Sequence, residues 1–296
     1  MKAALKIAIR LAALTVLYFI CFAAVSAALF PAPSEEPASA QAGSTLAALL
    51  AVSFLNTVVL AYLILRSRWG GWKLILVVFF AFYGVVTVLT QIETAFFVTR
   101  LPPGMLPRLF LAGAIIAAIF SPLAVLILGK RKPDRTEDES PRRLHMPAGE
   151  WVAKLSLIAI VYVVIYFTFG YFIAWQSAAL RAYYGGSDPG SFLAQMTTVV
   201  RDMPLLLPLQ AVRAILWTAI AVPVIRMMKG QWWEAGLAVA LLFAVVSSQL
   251  LLPNPFMPRE VRMVHLLETA SSNFLFGWLI VLVLRGRQSR REPARS

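Results

Sequence analysis

Eight stretches of this chain, near residues 8–30, 45–65, 73–95, 109–129, 152–176, 206–227, 233–252 and 263–284, are each long and apolar enough to cross a bilayer. A hydrocarbon core of about 30 Å takes roughly 20 apolar residues per helix. None of the stretches alternates with the two-residue period of a barrel strand, so helices are expected rather than an outer-membrane barrel. Composition agrees: charged residues are 14% of the chain, against about 25% in a soluble domain. The expected fold is an all-α integral membrane protein of eight transmembrane helices.

The first stretch raises a question of processing. Lys2, Lys6 and Arg10 resemble the charged start of a signal peptide, and "ASA" at 38–40 resembles a cleavage site. The apolar run exceeds the usual core of about 7–15 residues, and "ASA" lies well past its end. A retained helix is therefore expected. Cys21 is the one cysteine. It reads as a buried thiol, and a single cysteine rules out an internal disulfide or a multi-cysteine metal site.

A net charge of +13 would suggest nucleic acid in a soluble protein. Here it has a membrane reading, and no nucleic-acid partner is expected. Basic residues collect at one set of helix ends: Lys2, Lys6 and Arg10; Arg66, Arg68 and Lys73; Lys130 to Arg143; Lys154; Arg226 and Lys229; Arg285 to Arg295. Positive loops stay in the cytoplasm. The expectation is an inner-membrane protein with both termini cytoplasmic. The opposite ends carry arginine alone, at 100, 108, 181, 201, 213, 259 and 262. Arginine binds carboxylate or phosphate through a planar fork, whereas lysine is a hydrated point charge. These arginines either pair with local acids and lipid phosphates or bind an anion.

The chain also reads as duplicated. "AYLILRSRWGGWKLILVVFFAFYGVV" (61–86) and "AVPVIRMMKGQWWEAGLAVALLFAVV" (221–246) share Arg-x-x-x-Gly-x-Trp at constant offset. Helices 1 and 5 align on Tyr18 and Tyr162, and helices 4 and 8 on Arg108 and Arg262. Two parallel four-helix repeats are expected, 1–130 and 151–296, joined by a cytoplasmic polar linker at 131–150. Parallel repeats are common in transporters, with sites at their interface. The second half carries an insertion. Gly185-Gly186 and Pro189-Gly190 signal turns, and apolar residues from Phe192 to Met203 fall at helical spacing. That suits an amphipathic helix lying on the outer surface, as an anchor or as a lid.

Polar residues inside the apolar stretches single out one region. In "EVRMVHLLETASSNF", Arg262, His265, Thr269 and Ser272 form a stripe on one helix face, with Glu268 beside it and Asn273 following. Gln91, Glu93 and Thr94 close helix 3, and Gln210 and Arg213 open helix 6, with Trp217 on the same face. Charges at this depth are costly and face a bundle interior or water. The expected substrate-binding set is Glu93, Arg213, Arg262, His265, Glu268, Thr269, Ser272 and Asn273. The competing reading is a pair of buried ion pairs joining Glu93 and Glu268 to Arg213 and Arg262. His265 among carboxylates is a candidate proton-sensing group.

Known chemistries are poorly served. A zinc site from His265, Glu268 and Glu93 is conceivable, but His145 lies at the wrong end. Ser272 is about two turns from His265, too far for direct pairing within the helix. No G-x-S-x-G, phosphate-binding loop or H-E-x-x-H occurs. No cofactor and no metal are expected. The partners expected are membrane lipids and a small anionic solute or lipid headgroup. The expected function is transport or binding of that anion through an outward-facing polar cavity. The alternatives are a structural or partner-binding membrane subunit and a membrane-embedded enzyme acting on a lipid-linked substrate.

Overall fold

The computed structural model describes residues 2–30, 39–98, 101–133, 144–186, 188–254 and 256–285. Part of the first expected outer loop (31–38), Arg100, most of the polar linker (134–143, with Arg135, Arg142 and Arg143) and the basic tail from 286 lie outside them.

Among the described residues the regular structure is all helical, with no strand. Helix α1 (Lys2–Leu29) and α2 (Ser39–Leu65) are followed by α3 (Gly71–Tyr83), which runs through a π segment (Gly84–Leu89) into α4 (Thr90–Phe97). Then come α5 (Met105–Ile127) and α6 (Ala148–Phe169), the latter ending in a second π segment (Gly170–Ala174). Two short helices follow, α7 (Ala178–Tyr184) and α8 (Phe192–Asp202). The chain closes with α9 (Leu206–Met227), α10 (Trp232–Val245) with a 3₁₀ extension (Val246–Leu251), and α11 (Arg259–Arg285). Among the described residues, 8 helical segments are long and apolar enough to cross a membrane, as the apolar stretches require. Cys21 is buried.

The insertion forms structure of its own. Ser177 caps α7, its hydroxyl accepting from the Leu180 amide at 3.3 Å, and Gly185 ends the helix at φ 70°. Helix α8 has no buried residue and shows Leu193 to the surroundings. Phe192 at its start stacks on Phe172 with ring centroids 5.9 Å apart.

Packing is a web of repeated pairings. Helix α1 packs on α2 and α5, and α3 on α5; likewise α6 packs on α9 and α11, and α10 on α11. Between these two sets, α2 meets α10 and α3 meets α9. The α10–α11 contact is close because Gly277 has no side chain: a Cβ there would stand 2.6 Å from the Ala240 Cα. Small residues let backbones approach in this way. Asn273 donates to the Phe243 carbonyl at 3.2 Å across the same contact.

Every described lysine lies toward one end of the bundle, here called the lysine end. There the α2–α3 and α9–α10 turns run side by side. The Arg68 amide donates to the Met227 carbonyl at 2.8 Å and the Lys229 amide to the Arg66 carbonyl at 3.1 Å. Arg66 pairs with the Glu234 carboxylate across the two turns. Basic side chains also satisfy carbonyls that helix ends leave without intrahelical donors. Arg10 donates to Leu128 O at 3.2 Å and Lys154 to Leu284 O at 2.9 Å.

Candidate functional site

The polar residues gather at the opposite end. Glu93 sits in α4, one turn before the third span ends. Arg213 lies two turns into α9, about 10 Å from that helix start at 1.5 Å per residue, and His265 lies at a similar depth in α11. Three helices thus bring charge to one level.

Arg213 is the centre of the arrangement. Its Nη1 donates to Glu93 Oε1 at 2.5 Å and to Gln210 Oε1 at 2.7 Å. The two side chains differ in burial: that of Arg213 is 4% exposed, that of Glu93 37%. The guanidinium carbon lies 5.8 Å from the Tyr162 ring centre, in cation–π range. The Tyr162 hydroxyl accepts from Trp217 Nε1 at 3.3 Å. Donors are left over: among the described residues Arg213 Nε and Gln210 Nε2 are buried with no acceptor, as is Arg262 Nε further out.

A second set stands on α11 and α7. His265 Nδ1 is 2.9 Å from Glu268 Oε2, and His265 Nε2 is 3.2 Å from the Tyr184 hydroxyl. Tyr184 is brought there by α7, whose neighbouring Tyr183 donates to the Phe256 carbonyl at 2.5 Å. Burial pushes the Tyr184 phenol well above the ordinary tyrosine range, with Tyr183, Glu268 and Glu93 adding to the effect. The two sets are neighbours. Glu93 and Glu268 both act electrostatically on the Tyr162, Tyr166 and Tyr184 hydroxyls, and Arg213 acts on Tyr162 and Tyr166.

The remaining expected residues have other partners. Arg262 is buried and donates to the Leu252 and Leu250 carbonyls, where the 3₁₀ extension of α10 ends. It therefore ties a helix end to α11 and does not pair with Glu268. Asn273 holds α10, as described above. Ser272 donates to the Thr269 carbonyl on its own helix at 3.3 Å. Among the described residues, no group of three His, Cys, Asp or Glu side chains could hold a metal ion.

Tyr184, Tyr166 and the backbone-directed role of Arg262 were not read from the sequence. A signal for Tyr184 was present: Ser177, then "AALRAYY", then Gly185-Gly186 is a capped helix with a glycine stop. Nothing in the sequence said that this helix would fold back onto α11.

No family model matches the chain, and comparison with curated proteins and with solved structures finds no match either.

Proposed function

We propose that this polytopic membrane protein binds the oxyanion of a small anionic solute or of a lipid headgroup, with Arg213 as the principal contact. The reading rests on one observation: a buried guanidinium that holds Glu93 through Nη1 and leaves Nε without an acceptor. A buried donor left unmade costs about 1–3 kcal/mol, more when charged. An oxyanion would supply the missing acceptor and compete with Glu93, whose partly exposed carboxylate is free to turn toward water. In this reading Glu93, His265 and Glu268 stand around the ligand, Thr269, Ser272 and Asn273 continue the polar face deeper along α11, and Arg262 ties the end of the seventh span to α11.

The same reading sets the chain in the inner membrane, with the lysine end and both termini cytoplasmic, because positive loops are retained there. It also takes residues 1–130 and 151–296 as parallel four-helix repeats joined by the 131–150 linker. Matched contacts support this. Tyr18 packs on Phe120 with centroids 5.3 Å apart, and Tyr162 on Phe276 at 4.5 Å. Phe82 meets Phe120 at 6.0 Å, and Phe243 meets Phe276 at 6.3 Å. Arg10 reaches Leu128 O where Lys154 reaches Leu284 O. Exchanging the halves also exchanges the α2–α10 and α3–α9 contacts. In this reading the ring pairs align Arg108 with Val264, two residues from Arg262, and Phe82 with Phe243, one residue from the offset of the Arg-x-x-x-Gly-x-Trp match.

The test uses purified protein in neutral phosphatidylcholine nanodiscs. Phosphatidylglycerol in the nanodisc, and separately inorganic phosphate or acetate in solution, should raise the unfolding temperature of the wild type. Arg213→Gln should lose that response. Equal responses from the two proteins to every anion would refute the binding role and leave Arg213–Glu93 as a helix tie.

A membrane-embedded enzyme is favoured by a different observation, the hydrogen-bonded Glu268–His265–Tyr184 chain. A carboxylate orienting an imidazole is the arrangement of an acid–base pair. In this structure the other imidazole nitrogen faces Tyr184, so a substrate would have to displace that phenol.

A further inference from the structure

A cavity of about 120 Å³ lies between α1, the third span, α5 and the 3₁₀ extension of α10. Its inner part is walled by Tyr18, Phe22, Phe82 and Ile116. Its other part holds Ser26, Thr87 and Gln91, close to the ends of α1 and of the third span, and Gln249, whose Nε2 donates to the Val86 carbonyl at 3.5 Å. Among the described residues, no charged side chain lines it. The volume compares with the ~150 Å³ apolar cavity that admits benzene, so a ring or a short length of alkyl chain fits.

Two features mark it as more than a packing gap. Gln91 is 8% exposed, and its Oε1 is buried without a donor among the described residues. A buried acceptor in a native fold normally has a partner. The third span is also in π geometry from Gly84 to Leu89, the stretch that brings Val86 and Thr87 to the wall. Single-turn π segments recur at functional sites. Gln91 and Glu93 lie about 200° apart around the helix at 3.6 residues per turn. The same helix end thus presents an uncharged group to this cavity and a charged one to Arg213.

The cavity has a counterpart. With Tyr18 set on Tyr162 and Phe120 on Phe276, the wall residues Leu109, Ala112, Gly113 and Ile116 fall on His265, Glu268, Thr269 and Ser272. This correspondence rests on the repeat proposed above; the cavity and Gln91 do not. One position in the fold is charged in the second half and neutral in the first.

We infer that this cavity binds a neutral, single-chain amphiphile bearing a hydroxyl group, the hydroxyl donating to Gln91 Oε1 and the chain running between Tyr18, Phe22 and Phe82. The polar part of the cavity lies nearer the helix ends, with Phe30 beside it at the end of α1, and the other aromatic groups lie deeper. A lipid-soluble alcohol standing in the adjacent leaflet has its groups in that order. A glyceride and an isoprenoid alcohol share this chemistry.

The probe is a photoactivatable long-chain alcohol carrying a diazirine, compared with its methyl ether, on the full chain in phosphatidylcholine nanodiscs. Adducts should map to residues 18–30, 82–91 and 109–116. The ether, which cannot donate, should label these segments about tenfold less, the worth of one hydrogen bond. Gln91→Leu should reduce alcohol labelling to the ether's level without changing the anion response of Arg213, which separates this inference from the function proposed above. Ala112→Phe should abolish labelling by filling the cavity; should it fail to fold, Ser26→Phe near the helix end should block access instead. Monooleoylglycerol competing better than farnesol identifies a glyceride, and the reverse an isoprenoid alcohol. Equal labelling by alcohol and ether, labelling indifferent to Gln91→Leu, or competition by neither lipid in large excess would overturn the inference.

Discussion

Arg213 of the sixth span and Glu93 of the third meet with Nη1 and Oε1 2.5 Å apart, yet the arginine side chain is 4% exposed and the glutamate 37%. The pair is thus lopsided: one partner is committed to the interior and the other keeps contact with its surroundings.

That asymmetry makes the two deletions unequal. Glu93→Ala strands a buried cation and should cost about 3 kcal/mol, the lower end for breaking a buried pair. Arg213→Leu leaves a carboxylate that can turn outward and should cost less. Denaturation of both variants in mild detergent gives the comparison. A larger loss for Arg213→Leu would show that its contacts with Gln210 and Tyr162 outweigh the ion pair.

Gly277 carries a backbone-to-backbone contact. A Cβ there meets the Ala240 Cα at 2.6 Å and its nitrogen at 2.8 Å, neither of which can swing aside. Gly277→Ala should destabilise by about 1–3 kcal/mol through overpacking. Gly170→Ala is the control, since a Cβ there meets nothing within 4 Å. If thermal unfolding ranks the two the other way, the α10–α11 approach is looser than described.

Tyr184 gives an alkaline signature. Its phenol is held well above the ordinary range, by burial first. In the unfolded chain a tyrosine ionises near pH 10. The stability tied to Tyr184 is therefore fully present below that pH and is lost as pH rises from there toward the folded value. Tyr184→Phe removes the titration, so its stability should fall less steeply above about pH 10 than that of the wild type. Parallel stability–pH curves for the two proteins would mean that Tyr184 is solvated in solution.

Topology is open to cysteine labelling in a Cys21→Ser background. Single cysteines at 138 in the linker and at 293 in the tail should react only from the cytoplasmic side. Cysteines at 35 and 188 should react from the outside. A terminus that labels from outside would break the eight-span arrangement with both ends in the cytoplasm.

Much of this architecture was legible in the residues. The eight spans follow from run length, because a bilayer accepts only segments that satisfy their own backbone and bury their own apolar surface. The level of the site was legible too: Glu93, Arg213, His265 and Glu268 interrupt apolar helices, where a charge without a reason is costly. Helical spacing placed His265 one turn from Glu268, and their hydrogen bond follows from that spacing.

Partners between helices were decided only by the tertiary structure. Sequence spacing orders residues along one helix and says nothing about which neighbour a face will meet. Glu93 and Arg213 are far apart in the chain and join because α3 and α9 pack. Arg262 looked like a ligand-binding cation on the stripe it shares with His265, but it lies one turn nearer the start of α11, level with the carbonyls at the end of the seventh span, and donates to them. Tyr184 reached the site because a short capped helix folds back across a loop. The neutral cavity beside Gln91 had no signature at all: an empty volume exists only between helices, and Gln91 becomes an orphaned acceptor only once they have packed around it.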